Sequence, residues 1–384
     1  MRKKGWALLA MAVSCWLSAS GMVAAEDMKI YGQGNGNNTG DISNVNWVLD
    51  SDHQYYGGHQ WFYTAYTQDG TAANNKLTIN GGTYTVNGEA ASSTNKYSNY
   101  FYGGFTENSG SATGNSIVIN NGHFINESGT WQAAGIYAAK ATGSGHVAAD
   151  NSVTVNDGTF QGYTYISAGL GYDGSDAVKN TVTITGGDFE KGIYIFGGRG
   201  YKAGNTDNNT VVVSGGNIGG YRAFIWGGKA DNGDVRYNTV NLSGGAVASV
   251  PSDESVYETK FTEYEQGDAE FYGGYTLNGN ALYNTVNISG GSISTTGEGL
   301  VYGGYSRTGN ASYNLVNVSG GSISSKLTLM GGFAAAGDAS NNTIRLTGGS
   351  GNGNVYLHGG ITMSSTGNAN GNKIAIYFPA QLKE

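Results

Sequence analysis

One string recurs through the second half of the chain and limits what it can fold into. It is Asn-x-Val/Ile-x-Val/Ile/Leu-x-Gly-Gly, starting at Asn180 (NTVTITGG), Asn209 (NTVVVSGG), Asn238 (NTVNLSGG), Asn284 (NTVNISGG), Asn314 (NLVNVSGG) and Asn342 (NTIRLTGG). The steps are 29, 29, 46, 30 and 28 residues. A fixed period of this size marks a protein built from stacked repeats. Looser copies precede these at Asn75, Asn115 and Asn151, and a broken one, NKIAIYFP, follows at Asn372.

A second box lies between the first ones. It reads apolar, then usually aromatic, then two small residues, as in Tyr55-Tyr56-Gly57-Gly58, Phe101-Tyr102-Gly103-Gly104, Ile195-Phe196-Gly197-Gly198 and Phe271-Tyr272-Gly273-Gly274. Each unit can be folded on paper. In Asn180–Thr185 apolar residues alternate with Thr, which gives a strand with one buried side. The Gly pair permits a corner. A short strand follows, then the second box as another strand, then a polar return loop. That makes three strands and three corners. One unit cannot bury its own apolar side chains, but a stack can. Helical periodicity is absent after the first 25 residues. The expected fold is all-β: a parallel β-helix of about ten coils of ~29 residues, right-handed by the general rule for parallel crossovers. Composition agrees. Gly accounts for 66 of 384 residues, and only 12% are charged. Disorder would need no Val-x-Ile alternation.

The front end is of another kind. Arg2, Lys3 and Lys4 precede an apolar run from Trp6 to Leu17, and a small-residue stretch ends in Val23-Ala24-Ala25. This reads as a secretory signal peptide over 1–25, cleaved before Glu26, with an apolar core too short for a membrane span. The exported chain would hold 17 basic and 28 acidic residues. That balance repels nucleic acid. The one cysteine, Cys15, lies in the signal, so no disulfide or Cys-based metal site is expected after cleavage. The other expected divisions are a cap and lead-in strand over 26–50, repeats over 51–378 and a tail over 379–384.

Signal peptide, N-x-V-x-I-x-G-G copies and Gly-aromatic boxes together make residues 26 to about 378 resemble the passenger region of bacterial autotransporters and related adhesins. The resemblance implies a β-helix exported to the cell surface or beyond. It also implies action in adhesion, aggregation or biofilm formation. Partners would be a host or bacterial surface glycan or protein, or a second copy in self-association. Such passengers are joined to a C-terminal outer-membrane barrel, and residues 1–384 include no run of strands of that kind. Membrane contact would therefore come only through a translocator barrel outside this chain.

The residues themselves offer little catalytic chemistry. No Gly-rich loop leads from a strand into a helix, and no Gly-x-Ser-x-Gly elbow occurs. His53, His59, His123, His146 and His358 are not paired at metal-ligand spacing. No cofactor or metal is expected. A polysaccharide lyase or hydrolase on the same fold is the alternative. Asp188, Glu190 and Lys191 would supply its acids and bases, with Arg199, Lys202, Arg222 and Lys229 on neighbouring coils. A purely structural surface or matrix protein is a third possibility. Two binding features are expected. Strand alternation should turn the second residue of each second box outward, as an exposed aromatic stripe of Tyr56, Tyr102, Tyr137, Phe196, Trp226, Tyr272 and Tyr302. An acidic insertion at 249–270, with Tyr257, Phe261 and Tyr264, should form a loop on one face, where solenoids often bind.

Overall fold

A computed structural model describes residues 28–33, 36–87, 98–127, 132–220, 222–249, 269–324, 326–351 and 353–377. The expected signal at 1–25, the tail at 379–384 and the insertion residues Tyr257, Phe261 and Tyr264 lie outside the described residues.

From the second coil onward, every coil is built around an amide that points into the stack. Asn75, Asn115, Asn151, Asn180, Asn209, Asn238, Asn284, Asn314, Asn342 and Asn372 stack in a column, and each Nδ2 donates to the Oδ1 of the next at 2.8–3.2 Å. The same Oδ1 accepts the backbone N–H of the preceding Asn, as from Asn209 to Asn238 at 2.9 Å. The second Nδ2 hydrogen goes to a corner carbonyl, as from Asn238 to Thr206 at 2.7 Å. Asn suits this column because its short side chain offers both donors and an acceptor. The amides thereby satisfy corner groups that a tight turn would otherwise bury unpaired.

Among the described residues, forty strands form four parallel sheets of eleven, nine, eleven and nine strands, and none forms a helix. The chain visits them in the order A, B, C, D and returns to A one coil further on. Sheet C holds the first box, as in Thr239–Leu242, and sheet D the short strand after the Gly pair, as in Asn217–Ile218. Sheet A holds the second box in strands of up to eleven residues, as in Asn99–Ser109. Sheet B was not expected from the sequence. Its strands, such as Val235–Arg236, are two or three residues long and turn one side chain inward, too few to show alternation. Eleven coils at one strand spacing each give an axis of about 50 Å. Residues 28–49 already contribute strands to sheets A, B and C, so they form part of the first coil.

The core is one column of apolar side chains. Val182, Ile184, Val211, Val213, Val240, Leu242, Val286, Ile288, Val316 and Val318 are all buried in it, as the alternation predicts. Sheet A adds Phe62, Phe101, Ile136, Ile166, Ile195, Ile225, Phe271, Val301 and Leu329. At the far end Ile374 and Ile376 are exposed, because the described residues supply no further coil to cover them.

Candidate functional site: the outer face of sheet A

The second box behaves differently from simple alternation. In every coil the pairing ladder of sheet A skips one residue after the outward ring. Phe196 pairs with Trp226 and Gly198 with Gly228, while Gly197 and Gly227 are passed over. Where the skipped residue has a side chain, Thr64, Ala138 or Ala168, it is fully buried, and the two alanines lie in the inner core. The next residue also faces inward: a Cβ on Gly198 or Gly228 would sit 2.5 Å from the amide carbon of Asn209 or Asn238. Two successive inward residues shift the phase, so the residue three after the ring turns outward again.

The outward ring and the residue three further on therefore converge. Tyr102 meets Phe105 edge to face at 4.9 Å, Tyr272 meets Tyr275 at 5.3 Å, and Tyr302 meets Tyr305 at 5.9 Å. Along the axis the rings also stack: Phe196 on Trp226 at 4.8 Å and Tyr272 on Tyr302 at 4.8 Å. Edge-to-face and offset contacts of this kind contribute about 0.5–1.5 kcal/mol per pair beyond the area they bury. The face is a crease lined with rings.

This corrects the expected exposed stripe. Phe196, Trp226, Tyr272 and Tyr302 are only 0–3% exposed, since the converging column and the rings two residues earlier, such as Tyr194 and Phe224, pack around them. Tyr102 and Tyr137 are half-buried and stack at 5.2 Å. Tyr56 does not belong to the column. It is 64% exposed on sheet D, where it pairs with Thr85. Tyr63 takes the place instead, in register with Tyr102. The Gly pair after Tyr56 imitates the box, whereas the real one, Phe62-Tyr63-Thr64-Ala65, has no glycine. The converging column was also missed. Its signal is the ring after the small pair, as in Tyr102-Gly-Gly-Phe105 and Tyr272-Gly-Gly-Tyr275.

Cations sit among the rings. Lys140 Nζ lies 4.4 Å from the Phe105 ring centre and 4.9 Å from that of Tyr172. Burial pushes its ammonium below the usual lysine pKa, with Glu107 and Asp173 opposing the shift. Arg199 lies over Phe196 and Tyr201, and Lys229 over Trp226 and Tyr275. Burial pushes the Tyr102 and Tyr165 phenols well above the usual range. Arg199 Nε and Trp226 Nε1 are buried donors with no acceptor. Such groups each cost about 1–3 kcal/mol.

Arg199 and Lys229 pair in register, as expected. The acids proposed to work with them are elsewhere. Asp188 and Glu190 are exposed on and beside the strand Asp188–Phe189 of sheet D, hydrogen-bonded to Asn217 and Gln161. Lys202 forms an ion pair with Asp173. Among the described residues, no three His, Cys, Asp or Glu side chains group closely enough to hold a metal. Comparison with known proteins returns no match from family models, curated proteins or solved structures.

Proposed function

We propose that the chain is an exported β-helix, at the cell surface or released, that acts by binding. In this reading it is an adhesin-like passenger whose partner is a surface glycan or protein. The outer face of sheet A is the observation that supports it. A face serving only to meet water needs no rings; this one has them over most of its length, with Lys140 and Arg199 between them. Half-buried Tyr102 and Tyr137 offer rigid, amphipathic contact area at low entropic cost.

The near-complete burial of Phe196, Trp226, Tyr272 and Tyr302 favours a second reading for those four rings, a ladder that stiffens the stack. The experiment compares cells with and without the chain for adhesion to glycan- and protein-coated surfaces, and sequences the N-terminus of the exported form. Adhesion that depends on the chain, with a terminus at Glu26, supports the proposal. An intact Met1 terminus in the cytosol, or adhesion that ignores the chain, sinks it.

A further inference from the structure

Where the chain passes from sheet B into sheet C, each coil turns through one residue with positive φ. The fold fills it with residues that tolerate this: Asn74, Gly114, Asp150, Asn208, Asn341 and Gly371. Lys179, at φ 56°, is one departure, and three consecutive coils supply the others. They place Tyr237, Tyr283 and Tyr313 there, at φ 58°, 59° and 60°. A left-handed conformation costs an ordinary L-residue about 1–2 kcal/mol, and only Gly, Asn and Asp adopt it readily. These tyrosines do not recover the cost by entering the core. They are 43–54% exposed and stack on one another outside the solenoid at 5.1 and 5.0 Å. Strained residues of this kind cluster at functional sites.

A second departure falls in the same three coils. Four residues on, the outward position of sheet C is Asn241, Asn287 and Asn317, where the preceding coils have Thr154, Thr183 and Val212. The three amides form their own outer column, Asn287 Nδ2 to Asn241 Oδ1 at 2.9 Å and Asn317 Nδ2 to Asn287 Oδ1 at 3.3 Å. Asn317 Oδ1 has no hydrogen-bond partner. Between the two columns lie Thr239, Thr285 and Leu315, and beyond the amides Ser243, Ser289 and Ser319 are exposed.

We propose that this strip binds a neutral glycan chain lying along the solenoid axis. The strip holds three phenol hydroxyls in a row at coil spacing, a parallel row of amides, and no acid or base. The nearest cation on sheet B, Arg236, is tied to Asp207 at 2.8 Å. A polymer of uncharged sugars offers what this pattern recognises: hydroxyls at regular intervals for the phenol and amide groups, and apolar C–H groups that pack against exposed tyrosine rings. An acidic glycan or a nucleic acid would find no cation within the strip itself; Arg345, in register with Asn317 on the next coil, borders it and lies over the Tyr377 ring. An extended peptide would find the backbone groups of sheet C already paired with neighbouring coils. The site does not depend on the sheet A face.

The purified chain should be titrated by calorimetry with soluble β-glucan, mannan and galactan, with a polyuronate and a pool of extended peptides as contrasting arms. The variant is Tyr237→Asn, Tyr283→Asn and Tyr313→Asn together, since Asn fills the same corner at Asn208 and Asn341. At least one neutral polymer should bind, the variant should lose about tenfold or more in affinity, and its melting temperature should hold or rise as the strain is relieved. Tyr56→Ser, at an exposed tyrosine on sheet D away from both faces, should leave this binding intact. Binding only to the polyuronate or peptides, no binding at all, equal binding by the variant, or a marked fall in its melting temperature would each overturn the proposal.

Discussion

Gly228→Ala and Asn238→Ala, made singly and together, test whether the two boxes are coupled through one contact. The three nearest heavy atoms to a Cβ at position 228 all belong to the Asn238 amide, at 2.5, 2.6 and 2.7 Å. Position 228 can therefore gain a methyl only if that amide moves. Ala65 and Ala139 occupy the corresponding place in other coils, so movement is possible, and the single change should cost the 1–3 kcal/mol, roughly, of modest overpacking. Asn238→Ala removes the acceptor of both the Asn209 N–H and one Asn209 Nδ2 hydrogen, and a donor from the Thr206 carbonyl. Three buried groups left short of a partner at about 1–3 kcal/mol each give a loss of about 3–9 kcal/mol. In the double variant the obstacle to the methyl is gone. Its loss should match that of Asn238→Ala alone, so the cycle returns a coupling of about 1–3 kcal/mol. Urea titrations of the four proteins measure it. Losses that add within about 0.5 kcal/mol would refute the claim that the Asn column dictates the second Gly of the box.

Other expectations follow from the same geometry. Val240→Asp places a carboxylate in the core and should cost several kcal/mol, whereas Thr239→Asp, on the outer face of the same strand, should cost under about 1 kcal/mol in a denaturant titration. Trp226→Ala removes a buried ring and should cost about 3–5 kcal/mol, read as a lower melting temperature; an unchanged melting temperature would mean the crease is not packed as described. Burial raises the phenol pKa of Tyr63, Tyr84, Tyr100, Tyr102 and Tyr165 above that of the unfolded chain. The unfolded state then loses these protons first, so their contribution is complete below about pH 10 and declines as pH rises beyond it. Phenolate absorbance from these residues should appear together with unfolding; smooth titration in the folded protein would contradict their burial.

How much could be read from the sequence depended on strand length and phase. The four-residue strands of sheet C alternate cleanly, so Val182, Ile184, Val240 and Leu242 fell on the correct side. The Asn column was visible because one residue type recurs at one position. Sheet B strands such as Ala112–Thr113 are too short to leave a pattern. On sheet A, alternation correctly turned Phe196 and Trp226 away from the core. It did not reveal that the phase shift at the Gly pair brings a second column against them. Outward and exposed are different things where the outer face folds on itself. The strained row of Tyr237, Tyr283 and Tyr313 was spelled out as Tyr before Asn in three successive copies. Its meaning depends on a positive φ that no local pattern displays.

The central claim is that the chain works by binding through a ring-lined outer face, and Tyr102→Ser with Tyr137→Ser tests it most directly. Ser fills the same position at Ser167 in the next coil, so the solenoid accommodates it. Adhesion of cells displaying the wild-type chain or the double variant should be counted under flow on a surface the wild type recognises, beside the melting temperatures of the purified proteins. The account predicts loss of most adhesion with melting temperatures within a few degrees of each other. Undiminished adhesion by the variant would contradict it and leave the rings of sheet A as reinforcement alone.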